Sequence, residues 1–210
     1  MWPEAEKTQE LLNLAREGDD AATGRLFERH REALRRMADM RLDPKIRQRV
    51  DASDIIQDVM IDANRRLQQY LDNPVMPFHL WLRQMTTDRI IDAHRRHRIS
   101  QKRSVDLEQA PVVASNLDHS TINVGPQITD GELTPAAAAI RNEMQRKFEQ
   151  AVEEMDELDQ EIIVMRHFEK LSNQEVAQVL QLSEPAASMR YLRAMRRLRK
   201  KFSSDEDTEA

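Results

Sequence analysis

Residues 171–201 read LSNQEVAQVLQLSEPAASMRYLRAMRRLRKK, and the stretch changes character halfway along. Its first half is weakly acidic with apolar residues at helical spacing. Its second half, from Arg190 to Lys201, carries seven Lys or Arg and no acid, in a chain of formal charge −5. Ser172 followed three positions later by Glu175 is the signature of a capping box, so a helix starts there. Val176, Ala177, Val179 and Leu180 supply its apolar face. Gln181-Leu182-Ser183 then reads as a turn, with Ser183 placed to cap a second helix that tolerates Pro185 in its first turn. Two short helices joined by a tight turn form the helix-turn-helix unit, whose second helix enters the major groove. In that layout Ala186 to Arg193 face base edges, and Arg196, Arg197 and Lys200 beyond them lie along phosphates. The turn usually takes glycine, so Gln181 costs about 1 kcal/mol if it must be left-handed. A helical hairpin with a merely solvated basic face has the same spacing. The run of unopposed positive charge favours nucleic acid.

The rest of the chain is consistent with helices. Only 4% of its 210 residues are aromatic and 33% are charged, a composition poor in the residues that strands want. There is no cysteine, which excludes disulfides, thiolate metal sites and cysteine nucleophiles. The opening MWPEAEKTQELL is acidic and lacks the apolar core of a signal peptide. No apolar run approaches the ~20 residues that span a bilayer, so a soluble, cytoplasmic protein without membrane contact is expected. An acidic total argues against a protein that coats nucleic acid unaided, and places any DNA contact in local basic patches.

Helical spacing dominates residues 8–98, through Leu11, Leu12, Leu26, Phe27, Leu34 and Met37. Pro44 interrupts it, and Asp51 is placed to cap a new helix that buries Ile55, Ile56, Val59, Ile61 or Ala63, and Leu67. YLDNPVMPF reads as a tight loop, after which a helix is expected from about Pro77 to Arg98. Residues 99–134 have no sustained period and a charge of −3, from five acids against two bases, so they read as a linker. Thr134-Pro135 opens a further helix that continues through Met144, Phe148, Val152 and Met155. Three shorter helices are expected after Leu158, and residues 203–210 read as a disordered acidic tail. The expected architecture is all-α: one helical domain over 1–98, the linker, and a second domain over 135–202.

Two motifs in this order resemble a known family. ELDQEIIVMRHFEKLSNQEVAQVLQLSEPAASMRYLRAMRRLRKKF is similar to the promoter-reading C-terminal domain of bacterial sigma factors. DASDIIQDVMIDANRRL followed by FHLWLRQMTTDRIIDAHRRHR is similar to their N-terminal core domain. Two such domains joined by a linker resemble the extracytoplasmic-function (ECF) class, and the likeness covers about residues 8–202. It implies a dissociable subunit that binds core RNA polymerase and directs promoter recognition, DNA melting and transcription initiation, with no covalent chemistry and no cofactor.

Residue by residue, the resemblance assigns the helix DASDIIQDV to docking on the coiled coil of the polymerase's largest subunit. Asp54, Gln57 and Asp58 share one face of it, and a solvated acidic face is the plainer reading of those residues alone. The polymerase flap and, commonly in the family, an anti-sigma protein are further implied partners. The helix DRIIDAHRRHR would meet the minus-ten element, with Arg95 and Arg96 on phosphate. Tyr70 and Asp88 occupy the positions that wall the pocket for a flipped minus-ten base. Asp88 accepts from an exocyclic amine but offers no donor when ionised. In the recognition helix the base-contacting positions fall on Ser188, Met189, Leu192 and Arg193, with Arg190 beside them. Arg190 and Arg193 suit guanine, while Met189 suits only an apolar edge such as a thymine methyl. Phe78 and Trp81 sit on an apolar stripe with Leu82 and Met85 and read as core. Asp88, Asp92 and His94 do not converge as metal ligands.

Two other classes deserve comparison. A stand-alone helix-turn-helix regulator would use residues 1–98 as a ligand or dimer domain and bind its operator without polymerase. A helical hydrolase lacks its parts: there is no His-Asp pair, no HExxH, no glycine-rich phosphate loop and no cysteine, and no small-molecule substrate is expected. His30, His79, His119 and His167 are scattered.

Overall fold

The computed structural model describes residues 2–42, 44–47, 49–105, 143, 147–148, 150–152 and 154–206, with side chains described for all of these except 44–45, 98–105 and 201–206. Among the described residues there are helices and no strand. The chain divides into two units, Met1–Thr121 and Ile122–Ala210.

The first unit is built from α1 (Ala5–Arg16), α2 (Asp20–Arg41), the single turn α3 (Pro44–Arg47), α4 (Ala52–Asp72) and α5 (Phe78–Val105). Each boundary has a local cause. Gly18, at φ +89, sits just past α1, and the amide of Asp19 reaches back to the Leu14 carbonyl at 3.1 Å. This closes the helix with the left-handed residue such an end requires. The Asp19 carboxylate then accepts from the Ala22 amide and caps α2, and Asp51 accepts from the Ser53 amide to cap α4. Arg16 donates to the Leu71 carbonyl at 3.0 Å, pinning the end of α1 to the end of α4.

The core of this unit joins Leu12, Leu26, Leu34, Leu42, Ile56, Val59, Leu67, Leu71, Phe78 and Leu82. Burying each such side chain contributes about 1.5–3 kcal/mol. Of the two alternatives in α4, Ala63 is buried and Ile61 faces out. Phe78 is buried and Trp81 packs against the core, as their stripe predicts. The last helix of the unit runs to Val105 rather than ending near Arg98. No Gly or Pro stands between Phe78 and Val105 to stop it, so the helix takes the first part of the expected linker. The remainder of the linker, the helix start at Thr134-Pro135 and Met144 lie outside the described residues.

In the second unit Val152 and Met155 are buried ahead of α6 (Glu157–Ile163), which widens into a π turn over Val164–Phe168. This segment ends at Lys170, in the left-handed region at φ 59. Two helices follow, α7 (Asn173–Val179) and α8 (Glu184–Glu206). Both halves of the capping box on α7 are formed: the Ser172 hydroxyl accepts from the Glu175 amide, and the Glu175 carboxylate accepts from the Ser172 amide.

The turn between α7 and α8 places Gln181 at φ 54. The amide of Leu182 donates to the Ala177 carbonyl at 2.9 Å and that of Gln181 to Gln178 at 3.3 Å, the pairing of a Schellman end. The condition under which Gln181 carries its cost, a left-handed backbone, is therefore met. Asn173 adds a side-chain hydrogen bond to the Glu184 carbonyl across the turn, at 3.0 Å. Ser183 accepts from the Ala186 amide, and α8, expected to stop near 202, continues to Glu206. After Pro185, in its first turn, no breaker interrupts it. Residues 207–210 lie outside the described residues.

Candidate nucleic-acid and partner interfaces

On α4 the side chains of Asp54, Gln57 and Asp58 are exposed, while Ile55, Ile56 and Val59 are buried beneath them. The helical period thus delivers three polar groups to one outer face. Arg89 on α5 reaches this face: its Nη2 donates to Asp58 Oδ2 at 2.8 Å and lies 3.9 Å from Asp62 Oδ2. The acceptor surface of α4 therefore already holds one cation from its own unit.

The candidate minus-ten residues are dispersed. The Tyr70 ring is 7% exposed, stacked on Trp81 at 4.8 Å and edge-on to Phe78 at 5.4 Å. Its hydroxyl donates to the Met76 carbonyl at 2.9 Å, and burial raises its pKa. The loop after α4 is thus tied to the aromatic cluster through the side chain assigned to the base pocket. Asp88 is exposed. Partial desolvation, then the nearby Asp92 carboxylate, raise its pKa, with Arg66 opposing. Arg95 and Arg96 are exposed, Arg95 pairing with Asp92 at 3.3 Å.

On α8 the buried stripe is Ala187, Ala194 and Leu198, with Tyr191 half-buried alongside. The Tyr191 hydroxyl meets His167 Nε2 at 2.8 Å, and Arg166 lies over its ring. At about 100° per residue, Met189, Leu192, Arg193, Arg196 and Lys200 fall on the opposite side of the helix. All five are exposed, whereas Ser188 is half-buried at the edge of that face.

Arg190 belongs to neither face. It flanks the buried stripe and turns to the start of α6, where its Nη2 donates to Asp156 Oδ1 at 2.7 Å and its Nε lies 3.0 Å from Asp159 Oδ1. Arg197, two turns on, donates to the other oxygen of Asp159 at 2.5 Å. Asp159 itself is 2% exposed. Burial pushes the Asp156 carboxyl up, but the Arg190 hydrogen bond and the Asp159 amide outweigh it and hold its pKa below the ordinary range. Asp156 and Asp159 were missed in the sequence. They look like an N-cap and a first-turn acid of α6, and nothing local says that their partners lie 34 and 38 residues away. The unopposed charge of 190–201 was the one available signal, since an arginine flanking a buried stripe draws its acid from elsewhere in the fold.

Among the described residues no helix is long and apolar enough to cross a membrane. Residues 5–206 match the family described as ECF sigma factor. Among solved structures, CnrH in complex with the cytosolic domain of CnrY is 22% identical, with a TM-score of 0.56 over 95% of this chain and 99% of that one. The sigma factor RpoE in complex with the anti-sigma factor NepR, from Bartonella quintana, is 17% identical, with a TM-score of 0.49 over 83% and 92%. A search of curated proteins found no match. The first of these likenesses shows a shared fold, and the family match spans nearly the whole length. This chain belongs to the ECF sigma factors, which are transcription initiation factors and not enzymes.

Proposed function

We propose that this sigma factor binds core RNA polymerase through the exposed face of α4, opens the minus-ten element with the Arg95–Arg96 stretch of α5, and reads the minus-thirty-five element with the outer face of α8. The observation that carries the reading is that outer face. Arg193, Arg196 and Lys200 stand exposed opposite the buried alanines and leucine of the same helix, so positive charge is presented along one line, as a phosphate backbone requires. In a chain of net charge −5, core polymerase supplies the remaining affinity and α8 supplies aim. Asp54 and Gln57 on α4 offer acceptors and an amide to a basic partner.

The protein would act in the cytoplasm with the polymerase. Its regulation would come from a second protein of the anti-sigma kind, and the acidic linker would occupy a basic channel of the enzyme until RNA displaces it. Run-off transcription with bacterial core polymerase, with and without this chain, on a pool of upstream genomic fragments tests the reading. New start sites that depend on the chain are expected. Their absence, with a gel shift by the chain alone, would favour the stand-alone regulator.

A further inference from the structure

We infer that this factor reads its upstream promoter element by apolar contact with thymine methyl groups, made by Met189 and Leu192, and that Arg190 positions the helix instead of reading a base. The inference rests on the reading of α8 as the groove helix and concerns what that helix recognises.

Three features of the structure lead there. Met189 and Leu192 are 46% and 45% exposed, in the N-terminal half of α8, where a groove helix meets base edges. Exposed apolar residues are ordinary when scattered singly, but these two lie about 60° apart around the helix at 100° per residue. They share their face with Arg193 and Arg196, cations of the sign that brings DNA to it. Arg190, one residue from Met189 and otherwise the natural guanine reader, is committed elsewhere. Its Nη2 donates to Asp156 at 2.7 Å, and its Nε lies 3.0 Å from the buried Asp159 carboxylate as an ion pair without hydrogen-bond geometry. Turning it toward DNA would leave Asp159 with Arg197 alone and abandon the charge-assisted hydrogen bond to Asp156.

Between Ser188 and Arg193, what the outer face of α8 offers is two apolar side chains, the half-buried Ser188 hydroxyl and the Arg193 guanidinium. In the major groove only thymine presents an apolar group, its C5-methyl. An element rich in thymine opposite Met189 and Leu192 follows, with Arg193 left for the one strong hydrogen-bonding contact.

The experiment uses holoenzyme assembled from bacterial core polymerase and the full chain. Binding fragments are selected from a random pool, and each thymine of the upstream element is then replaced, one at a time, by deoxyuracil. That change removes the methyl and keeps the pairing. Half-saturation is expected to weaken about three- to fourfold for each methyl covered, from the transfer free energy of one buried carbon. Met189→Ala and Leu192→Ala should each make one such position indifferent to the replacement. Arg190→Lys should weaken all selected elements together and leave the deoxyuracil pattern intact, whereas a guanine reader would lose discrimination at a single position.

A selected element without thymine, a silent replacement at every thymine, or a full penalty retained in both alanine variants would each overturn the proposal. Silent replacement with unimpaired binding by the variants would assign the face to a protein partner. Failure to select any fragment with holoenzyme would overturn the parent reading as well.

Discussion

Arg190 and Asp159 stand 31 residues apart in sequence and 3.0 Å apart in space. Asp159 is buried and faces two guanidiniums, those of Arg190 and Arg197. The start of α6 and the middle of α8 are joined there by charge as well as by packing, so the outer face of α8 is aimed by a clamp on its inner flank.

Asp159→Asn should therefore destabilise the second unit. Removing one member of a fully buried pair costs about 3–5 kcal/mol; here Arg197 is well exposed, and about 2–3 kcal/mol is expected. Both tryptophans, Trp2 and Trp81, lie in the first unit. Urea unfolding followed by circular dichroism should show the loss, while the tryptophan transition stays in place. A shift of the tryptophan transition would place the effect elsewhere.

Stability of the first unit should fall as the pH drops below neutrality, because of His30. Its ring is 1% exposed, donates from Nδ1 to the Leu26 carbonyl at 2.9 Å, and meets Phe78 edge-on. Burial, reinforced by His79 and Arg29 and opposed by the Leu26 bond, lowers its pKa from 6.5 to about 4. Between those values the unfolded chain holds a proton that the folded unit excludes, so unfolding free energy rises with pH at about 1.4 kcal/mol per unit. That stability is complete above 6.5 and lost toward pH 4, about 3 kcal/mol in all. Urea midpoints between pH 7 and 5, above most carboxylate titration, should show the slope. His30→Gln should flatten it.

On α4, Gln57→Lys should lower affinity for core polymerase about tenfold by opposing a basic partner. The side chain is exposed beyond the first turn, so stability should change by less than about 0.5 kcal/mol. Arg89→Ala should act in the opposite direction, freeing Asp58 from its 2.8 Å pair at a cost below about 1 kcal/mol. Fluorescence anisotropy of labelled chain titrated with core polymerase measures both. Equal affinities in all three proteins would remove α4 from the interface.

Gln181→Gly should stabilise the second unit by about 0.5–1 kcal/mol, because glycine adopts φ 54 without the Cβ clash while adding entropy to the unfolded chain. Thermal unfolding of the full chain checks it. A loss of stability would mean that the glutamine side chain repays the strain of its backbone.

Much was legible because it is local. The capping box of Ser172 and Glu175, the Asp51 cap and the inward faces of α4 and α8 follow from short-range stereochemistry and from a period of about 3.6 residues. Those patterns are written in consecutive residues and carry the all-α fold and the family likeness. Helix ends without a Gly or Pro were not legible, so α5 and α8 run past their expected limits. Nor was the choice of Ala63 over Ile61, which depends on what packs opposite.

The sequence by itself determined which residues α8 turns away from its core, since period and apolar content decide that face without reference to anything else. Only the tertiary structure decided which of its arginines are committed within the protein. Arg190 and Arg193 are the same residue type one turn apart, yet the first lies against Asp156 and Asp159 and the second points away. The difference comes from carboxylates more than 30 residues earlier in the chain. Ion pairing depends on distance in space, and sequence separation does not report that distance until the helices have packed.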